Sequence, residues 1–237
     1  MIDFLWFNRR MIEIIYQDPQ IIVVNKPAML AVIAEGWDAG APHLRQLLEK
    51  KFGKGSIWVV HRLDKITSGV MVFARTADAH RHLNTQFERH EVEKIYHAIV
   101  EEIPEWDEYI ARHSLHANVG RQHRTVSDRV RGKPSETALR VLQRWEANHE
   151  RDAYAWIEAR PKTGRTHQVR VHCAEMGHPL IGDTLYGAET SSMIERPALH
   201  AQSLSFIHPA TKKKITFTAP HPEDFAELIN LLEASEK

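Results

Sequence analysis

The sequence predicts an α+β fold: a single domain built on a central, mainly antiparallel mixed β-sheet flanked by helices. Three observations lead there. Four consecutive segments, residues 109–113, 122–127, 136–145 and 154–160, read as strands with no helical pattern between them, which signals hairpin-connected antiparallel pairing rather than alternating βαβ units. Helical spacing is confined to isolated blocks on either side of that run. The chain of 237 residues, 43% hydrophobic, has no internal repeat, low-complexity tract or long linker at which to divide.

Taken in order, residues 1–10 read as an N-terminal extension and 11–237 as the domain itself. Residues 12–16 and 21–25 are short strands split by an Asp18-Pro19 turn, and Lys26-Pro27 ends the second. Leu44, Leu47 and Leu48 recur at helical spacing within 43–52, and Gly53-Lys54-Gly55 stops that helix. Strand-like runs at 58–60 and 70–74 leave Asp64 in the turn between them, and loops held by strands are where chemistry usually sits. Thr76-Ala77-Asp78 opens a helix to about residue 89 with Leu83 and Phe87 on its apolar side, and 94–101 alternates as the next strand. After the four-strand run, 165–176 reads as a helix stopped by Gly177, 199–207 and 213–218 as strands, and 224–234 as a closing helix.

No apolar run approaches the roughly 20 residues of a membrane span, and the first eleven residues lack the cationic start and cleavage site of a signal peptide. A cytoplasmic protein without membrane partners is the expectation. Cys173 is the sole cysteine, so neither an intramolecular disulfide nor a cysteine metal site is available; it reads as a small buried apolar residue. Formal charge is zero, from 31 basic and 31 acidic residues, but its distribution is uneven. Between Arg112 and Arg144 eight Lys/Arg face only Asp128 and Glu136, and Arg160, Lys162, Arg165 and Arg170 follow without an acid, whereas residues 223–236 carry five acids. Such segregation is the footprint of a face presented to phosphates.

Two clusters carry candidate chemistry. His61-Arg62-Leu63-Asp64-Lys65-Ile66-Thr67-Ser68-Gly69 sets one carboxylate among a guanidinium and hydroxyls ahead of an apolar run. Alone, Asp64 reads as a cap, a salt-bridge anchor or a catalytic carboxylate. Thr163-Gly164-Arg165-Thr166-His167-Gln168-Val169-Arg170-Val171-His172 supplies cations; on a helix at least one arginine would point into the cleft, and a guanidinium beside a carboxylate holds it ionised.

These two stretches, with Lys94-x-Tyr96-x-Ala98-x-Val100 and Gly177-x-Pro179-x-x-Gly182-Asp183-x-x-Tyr186-Gly187, resemble the RluA family of RNA pseudouridine synthases. Leu199-His200-Ala201 and His208-Pro209 match its closing segment, so the resemblance runs from about residue 12 to 222. It implies the pseudouridine synthase fold and a cofactor-free, metal-free isomerisation: the uridine N1–C1′ bond breaks, the base turns, and a C5–C1′ bond forms. Asp64 matches the family's essential aspartate, Tyr96 its base-stacking tyrosine, and Arg170 the arginine that pairs with the aspartate. Arg62 matches a residue that fills the gap left by an extruded nucleotide. His61, Thr67, Arg165 and His167 are further substrate-side candidates, with His61 and His167 bracing the site by hydrogen bonds. This chain departs from many relatives in having Met29 where they have glycine after Lys-Pro-x.

A structured RNA, ribosomal or transfer, is the expected partner, contacted through the 112–144 stretch with Arg124 and Arg131 foremost; DNA is not expected, and a monomer is. Sixteen histidines invite a metal reading, but none sits with further ligands at coordinating spacing. Trp37, Trp58, Trp106, Trp145 and Trp156 read as core or cleft wall. Two rivals stand beside the isomerase: an idle RNA-binding protein on the same fold, disfavoured by the presence of Asp64, Tyr96 and Arg170, and a base-cleaving glycosidase, which would want a second carboxylate to activate water.

Overall fold

The computed structural model describes residues 12–34, 40–147 and 152–234. The expected N-terminal extension and Trp37 lie outside them. The α+β expectation holds: eleven strands form one sheet, in the order β1-β2-β4-β10-β5-β9-β8-β6-β7, with β3 also on β4 and β11 also on β10. The strands are β1 (Glu13–Gln17), β2 (Ile21–Lys26), β3 (Trp58–Val59), β4 (Ser68–Ala74), β5 (Glu93–Glu101), β6 (Glu108–Val119), β7 (Arg124–Ser127), β8 (Lys133–Trp145), β9 (Tyr154–Pro161), β10 (Leu199–Ile207) and β11 (Lys214–Thr218). Every named pair is antiparallel except β4 with β10, which run parallel over only two residue pairs, His200 with Ser68 and Ala201 with Gly69.

That short parallel splice depends on one glycine. Gly69 has φ +120°, and a Cβ there would lie 2.2 Å from the Ala201 carbonyl oxygen, so only glycine lets β4 close on β10. Beyond the splice, β10 leaves β4 and pairs with β11 through Ser203–Ile207 instead. The sheet forks, and the Asp64 turn sits immediately before the fork.

Among the described residues, four helices cover both faces. Their ranges are α1 (Leu44–Phe52), α2 (Ala77–Glu88), α3 (Gln168–Glu175) and α4 (Glu223–Ala234). Strands β2 and β4 are apolar throughout because both faces are covered: Ile21, Val23, Val70 and Val72 pack with Ala79 and Leu83 of α2, while Ile22, Val24, Met71 and Phe73 pack with Leu44 and Leu48 of α1. In the other half, Ala98, Val100, Ala155 and Ile157 meet Val169 and Cys173 of α3, and Ile99, Trp145 and Tyr154 meet Phe225, Leu228 and Leu232 of α4. Each such fully buried large side chain contributes about 1.5–3 kcal/mol of transfer free energy. Cys173 is buried as expected, and its thiol is pushed up to about 12 by that burial and then by Asp183.

The strand run differs from expectation at its ends. β6 reaches Val119 and turns back through Gly120–His123, with both Gly120 and His123 at positive φ, so β7 begins at Arg124 rather than at 122. Helix α3 begins at Gln168 rather than 165 because His167 takes the left-handed conformation, φ 54°, which breaks helical continuity. Met29 explains the departure noted above: it is also left-handed, at φ 64°, a conformation glycine adopts freely and a side chain holds at roughly 1–2 kcal/mol. Trp145 is fully buried, Trp106 and Trp156 are half-buried, and Trp58 is exposed.

Candidate active site

A groove of about 1280 Å³ opens where the sheet forks, lined by residues of the Asp64 turn, β5, the loop before α3 and the segment ahead of β10. Asp64 opens a four-residue turn closed by the Thr67 amide donating to the Asp64 carbonyl at 3.1 Å. Its carboxylate is 30% exposed. Two buried cations hold the turn from below. Lys26, with no exposed surface, donates to the carbonyls of Lys65 (3.1 Å), Leu30 (2.9 Å) and Pro27 (2.9 Å). Burial drops its pKa to about 7 against the opposing pull of Asp64. Arg196 forks onto Asp224 at the start of α4 (2.7 and 2.9 Å) and turns its third nitrogen on the carbonyls of Leu199, Pro197 and Ile66.

The sequence-predicted residues fall into two groups. Asp64, Tyr96, Arg170, Arg62, His61, Thr67, Arg165 and His167 all line this one groove. Tyr96 lies between the two halves of the core, packing against both, and burial followed by the charge of Asp64 raises its phenol well above the usual range, so it is neutral. Arg62 is exposed at the groove wall and Thr67 is buried behind the turn. His61 braces rather than binds: its Nε2 accepts the Val72 amide at 3.2 Å, its ring stacks on Phe87, and burial drives its pKa to about 3. Arg165 is half-buried, its Nε donating to the Pro134 carbonyl at 3.2 Å.

Arg124 and Arg131 form the second group, beside the groove rather than in it. Arg124 lies over the Tyr186 ring at 5.4 Å, and Arg131 is held by Asp128 at 2.9 Å. The basic 112–144 stretch is also less free than its composition implies, since Arg112, Arg140 and Arg144 pair with Glu136, Glu158 and Asp107 on the sheet surface.

Arg170 is the correction. The resemblance implies that it pairs with Asp64, but its guanidinium donates bidentately to Asp183, Nε to Oδ2 at 2.6 Å and Nη2 to Oδ1 at 2.7 Å. Burial works against its charge, yet the hydrogen bonds and charge of Asp183, with Asp64 and Tyr186 adding, raise its pKa overall. Arg170 therefore acts on Asp64 through space. The reason is local: α3 starts at Gln168, which puts Arg170 in its first turn, buried against the 3-10 segment Thr184–Tyr186 that follows Asp183. Among the described ion-pair contacts, the side chain facing Asp64 is instead a histidine, with His167 Nε2 3.9 Å from Oδ2.

Gln168 explains how the loop before α3 is staked. Its buried amide accepts from Thr163 Oγ1 (2.7 Å) and the Arg165 amide (3.0 Å), and donates to the Glu136 carbonyl and Thr137 Oγ1 (both 2.9 Å). Lys94 Nζ donates to the Thr163 carbonyl at 2.8 Å, with its pKa lowered to about 8 by burial and then Arg165. Sequence reasoning assigned no role to Lys26, Lys94, Asp183, Tyr186 or Arg196. Lys94, Asp183 and Tyr186 do stand inside the quoted motifs, and Arg196 carried no signal. Among the described residues, no three His, Cys, Asp or Glu converge to hold a metal, and no helix is long and apolar enough to cross a membrane.

The arrangement centres on the partly exposed Asp64 carboxylate, beside a neutral aromatic and within the field of buried cations, in a groove that Glu88, Asp183 and Glu195 also line. Residues 20–175 match the family described as RNA pseudouridylate synthase. The chain is 35% identical to ribosomal large subunit pseudouridine synthase D of Zymomonas mobilis over 95% of its own length and 74% of the relative's. It is 37% identical to the Pseudomonas aeruginosa protein of the same name, over 93% of its own length and 72% of the relative's. A Neisseria meningitidis relative with that name is spanned over 61% of its length. Among solved structures, human RNA pseudouridylate synthase domain containing 1 superposes with a TM-score of 0.73 at 27% identity, covering 94% of this chain and 95% of that one. A family match across most of the sheet, relatives matched nearly end to end on this side, and a shared fold together show that this chain belongs to the RNA pseudouridylate synthase family.

Proposed function

We propose that this RNA pseudouridine synthase converts uridine to pseudouridine in ribosomal RNA of the large subunit, with Asp64 as the catalytic carboxylate, Tyr96 as the platform for the extruded base, and Arg170 as the charge that favours the anionic site. The ribosomal target rests on the names of the relatives. The observation that carries the roles is the position of Asp64: it opens a hydrogen-bonded turn at the groove floor, 30% exposed, with Tyr96 lining the same groove.

The chemistry follows from those groups. A uridine stacked in RNA hides C1′ and C5, and swinging it out costs a few kcal/mol. Stacking on Tyr96 returns roughly 1–3 kcal/mol, and the exposed side chain of Arg62 would occupy the vacated position. Phosphates flanking the flipped nucleotide would meet Arg62, Lys65, Lys94 and Arg165, all of which line the groove. The isomerisation breaks N1–C1′, forms C5–C1′, releases the C5 proton to solvent and leaves a proton on N1. Every route through an aspartate, whether attack on sugar or base or removal of the 2′ proton, needs the ionised form. A ribose 2′-hydroxyl would separate RNA from DNA. A transfer-RNA site, monomeric action and a cytoplasmic setting belong to the same proposal, the monomer resting on strands that pair within the chain.

The test uses RNA tritiated at uridine C5. Wild-type protein releases label to solvent; Asp64→Asn binds the RNA equally and releases none. Substantial release by the variant overturns the role of Asp64.

A further inference from the structure

Beyond the three residues above, the structure ties Asp64 to a hydrogen-bonded chain that starts in β7. The Thr125 amide donates to the Tyr186 hydroxyl oxygen at 2.9 Å, and that hydroxyl lies 2.8 Å from His167 Nδ1. The far ring nitrogen, Nε2, faces Asp64 Oδ2 at 3.9 Å. A phenol has one proton, and a backbone N–H can only donate. The Thr125 N–H therefore takes one of the oxygen's lone pairs, and the phenol proton goes to Nδ1, the acceptor within hydrogen-bond distance of that hydroxyl. A neutral imidazole that accepts at Nδ1 carries its own proton on Nε2. We propose that Tyr186 fixes His167 as the Nε2–H tautomer, and that His167 is a positioning residue presenting this N–H to the Asp64 carboxylate.

Three further observations support it. His167 holds its ring there from a left-handed backbone, φ 54°, with no side-chain capping bond, so the imidazole is not engaged in starting the helix. The charged groups around the ring leave it neutral: burial lowers its pKa first, Asp64 and Asp183 pull upward, and Arg170 pushes down, with a net fall. Tyr186 is pinned from two sides, Arg170 lying 4.9 Å and Arg124 5.4 Å from its ring centre, and it is nearly buried. With Arg170 committed to Asp183, the His167 N–H is the closest side-chain donor to Asp64 among the described ion pairs, and a shift of under about 1 Å closes it to a hydrogen bond. Such a bond would select the carboxylate rotamer that faces the sugar.

The inference deepens the proposed function and rests on Asp64 being the reacting carboxylate, but its test does not need turnover. In protein labelled with 15N-histidine, long-range proton–nitrogen correlation near neutral pH reads the tautomer, with His167→Gln supplying the assignment. The expected result is His167 protonated at Nε2 and bare at Nδ1, with Tyr186→Phe redistributing the proton. In the C5-tritium assay, Tyr186→Phe and His167→Leu should lower kcat on the order of tenfold with KM for RNA unchanged, while His167→Gln, which keeps an N–H, recovers part of the loss. A proton on Nδ1 or a charged ring in the wild type overturns the proposal even should Tyr186→Phe not fold. So does a fall confined to KM. Release of label by Asp64→Asn would refute the parent reading without altering the tautomer.

Discussion

Replacing Asp183 with asparagine removes half of the most deeply buried ion pair in the site while keeping the side chain's shape. The partners are 3% and 1% exposed, and both guanidinium contacts, at 2.6 and 2.7 Å, run to the two carboxylate oxygens. Asparagine can accept through one atom only, so one charge-assisted bond is lost and a buried guanidinium is left without its counter-ion. Breaking a buried pair from one side costs about 3–5 kcal/mol, and the bond that asparagine retains places this variant near the lower figure. The freed guanidinium has one other anion within its electrostatic reach, Asp64. With its hold on Asp183 weakened, Arg170 no longer keeps a fixed place beside Asp64, so kcat in the C5-tritium assay should fall by about tenfold or more, in addition to the stability loss. Urea unfolding followed by circular dichroism measures the first effect. The double variant Arg170→Met with Asp183→Leu separates the two: with no unpaired charge, stability should return to within about 1.5 kcal/mol of wild type while turnover stays lost. If Asp183→Asn unfolds at the wild-type urea concentration, or if the double variant is as unstable as the single one, the pair does not hold the site as argued.

Two more outcomes follow from the same structure. Burial holds His61 and His200 at about 3 and His97 and His172 at about 4, against about 6.5 in the unfolded chain. Between those values the unfolded state binds protons that the folded state refuses, so stability is full above about pH 6.5 and is lost as pH falls toward 3–4. Urea midpoints should already drop between about pH 7 and about pH 5, before most carboxylates titrate, and a flat midpoint there contradicts the neutral, buried assignment. In RNA binding, Arg124→Ala with Arg131→Ala should weaken affinity and reduce the slope of log affinity against log salt by roughly one to two, as fewer counterions are released. Arg140→Ala, whose guanidinium pairs with Glu158 on the sheet surface, should leave that slope alone; an unchanged slope in the double variant would mean that the β6–β8 edge does not meet phosphate.

Much of the molecule was legible in the residues themselves, because the relevant rules are local. Four strand-like segments between residues 109 and 160, with no helical pattern between them, announced antiparallel pairing, and the apolar runs at 21–25 and 70–74 announced strands. The turn chemistry around Asp64 and the cation-rich segment at 163–172 marked the groove, and all seven residues chosen from those two motifs line it, as does Tyr96 from the 94–100 motif. What the chain order could not supply were the pairings between segments distant in sequence. Arg170 is equally suited to either of two carboxylates, and its choice of Asp183 over Asp64 depends on where α3 starts, which a single left-handed residue, His167, decides. Lys26 reads as a strand end followed by proline, and becomes a support of the Asp64 turn only because β2 lies beside β4. The composition of 112–144 overstated its basic face, since Arg140 and Arg144 meet Glu158 and Asp107 from outside the stretch or across the strand pair. Periodicity and turn propensity act over a few residues, so sequence alone determined the elements and the neighbourhood of the site. Hydrogen bonds and charge pairs act over a few ångströms regardless of chain distance, so only the tertiary structure decided which partner each buried charge takes.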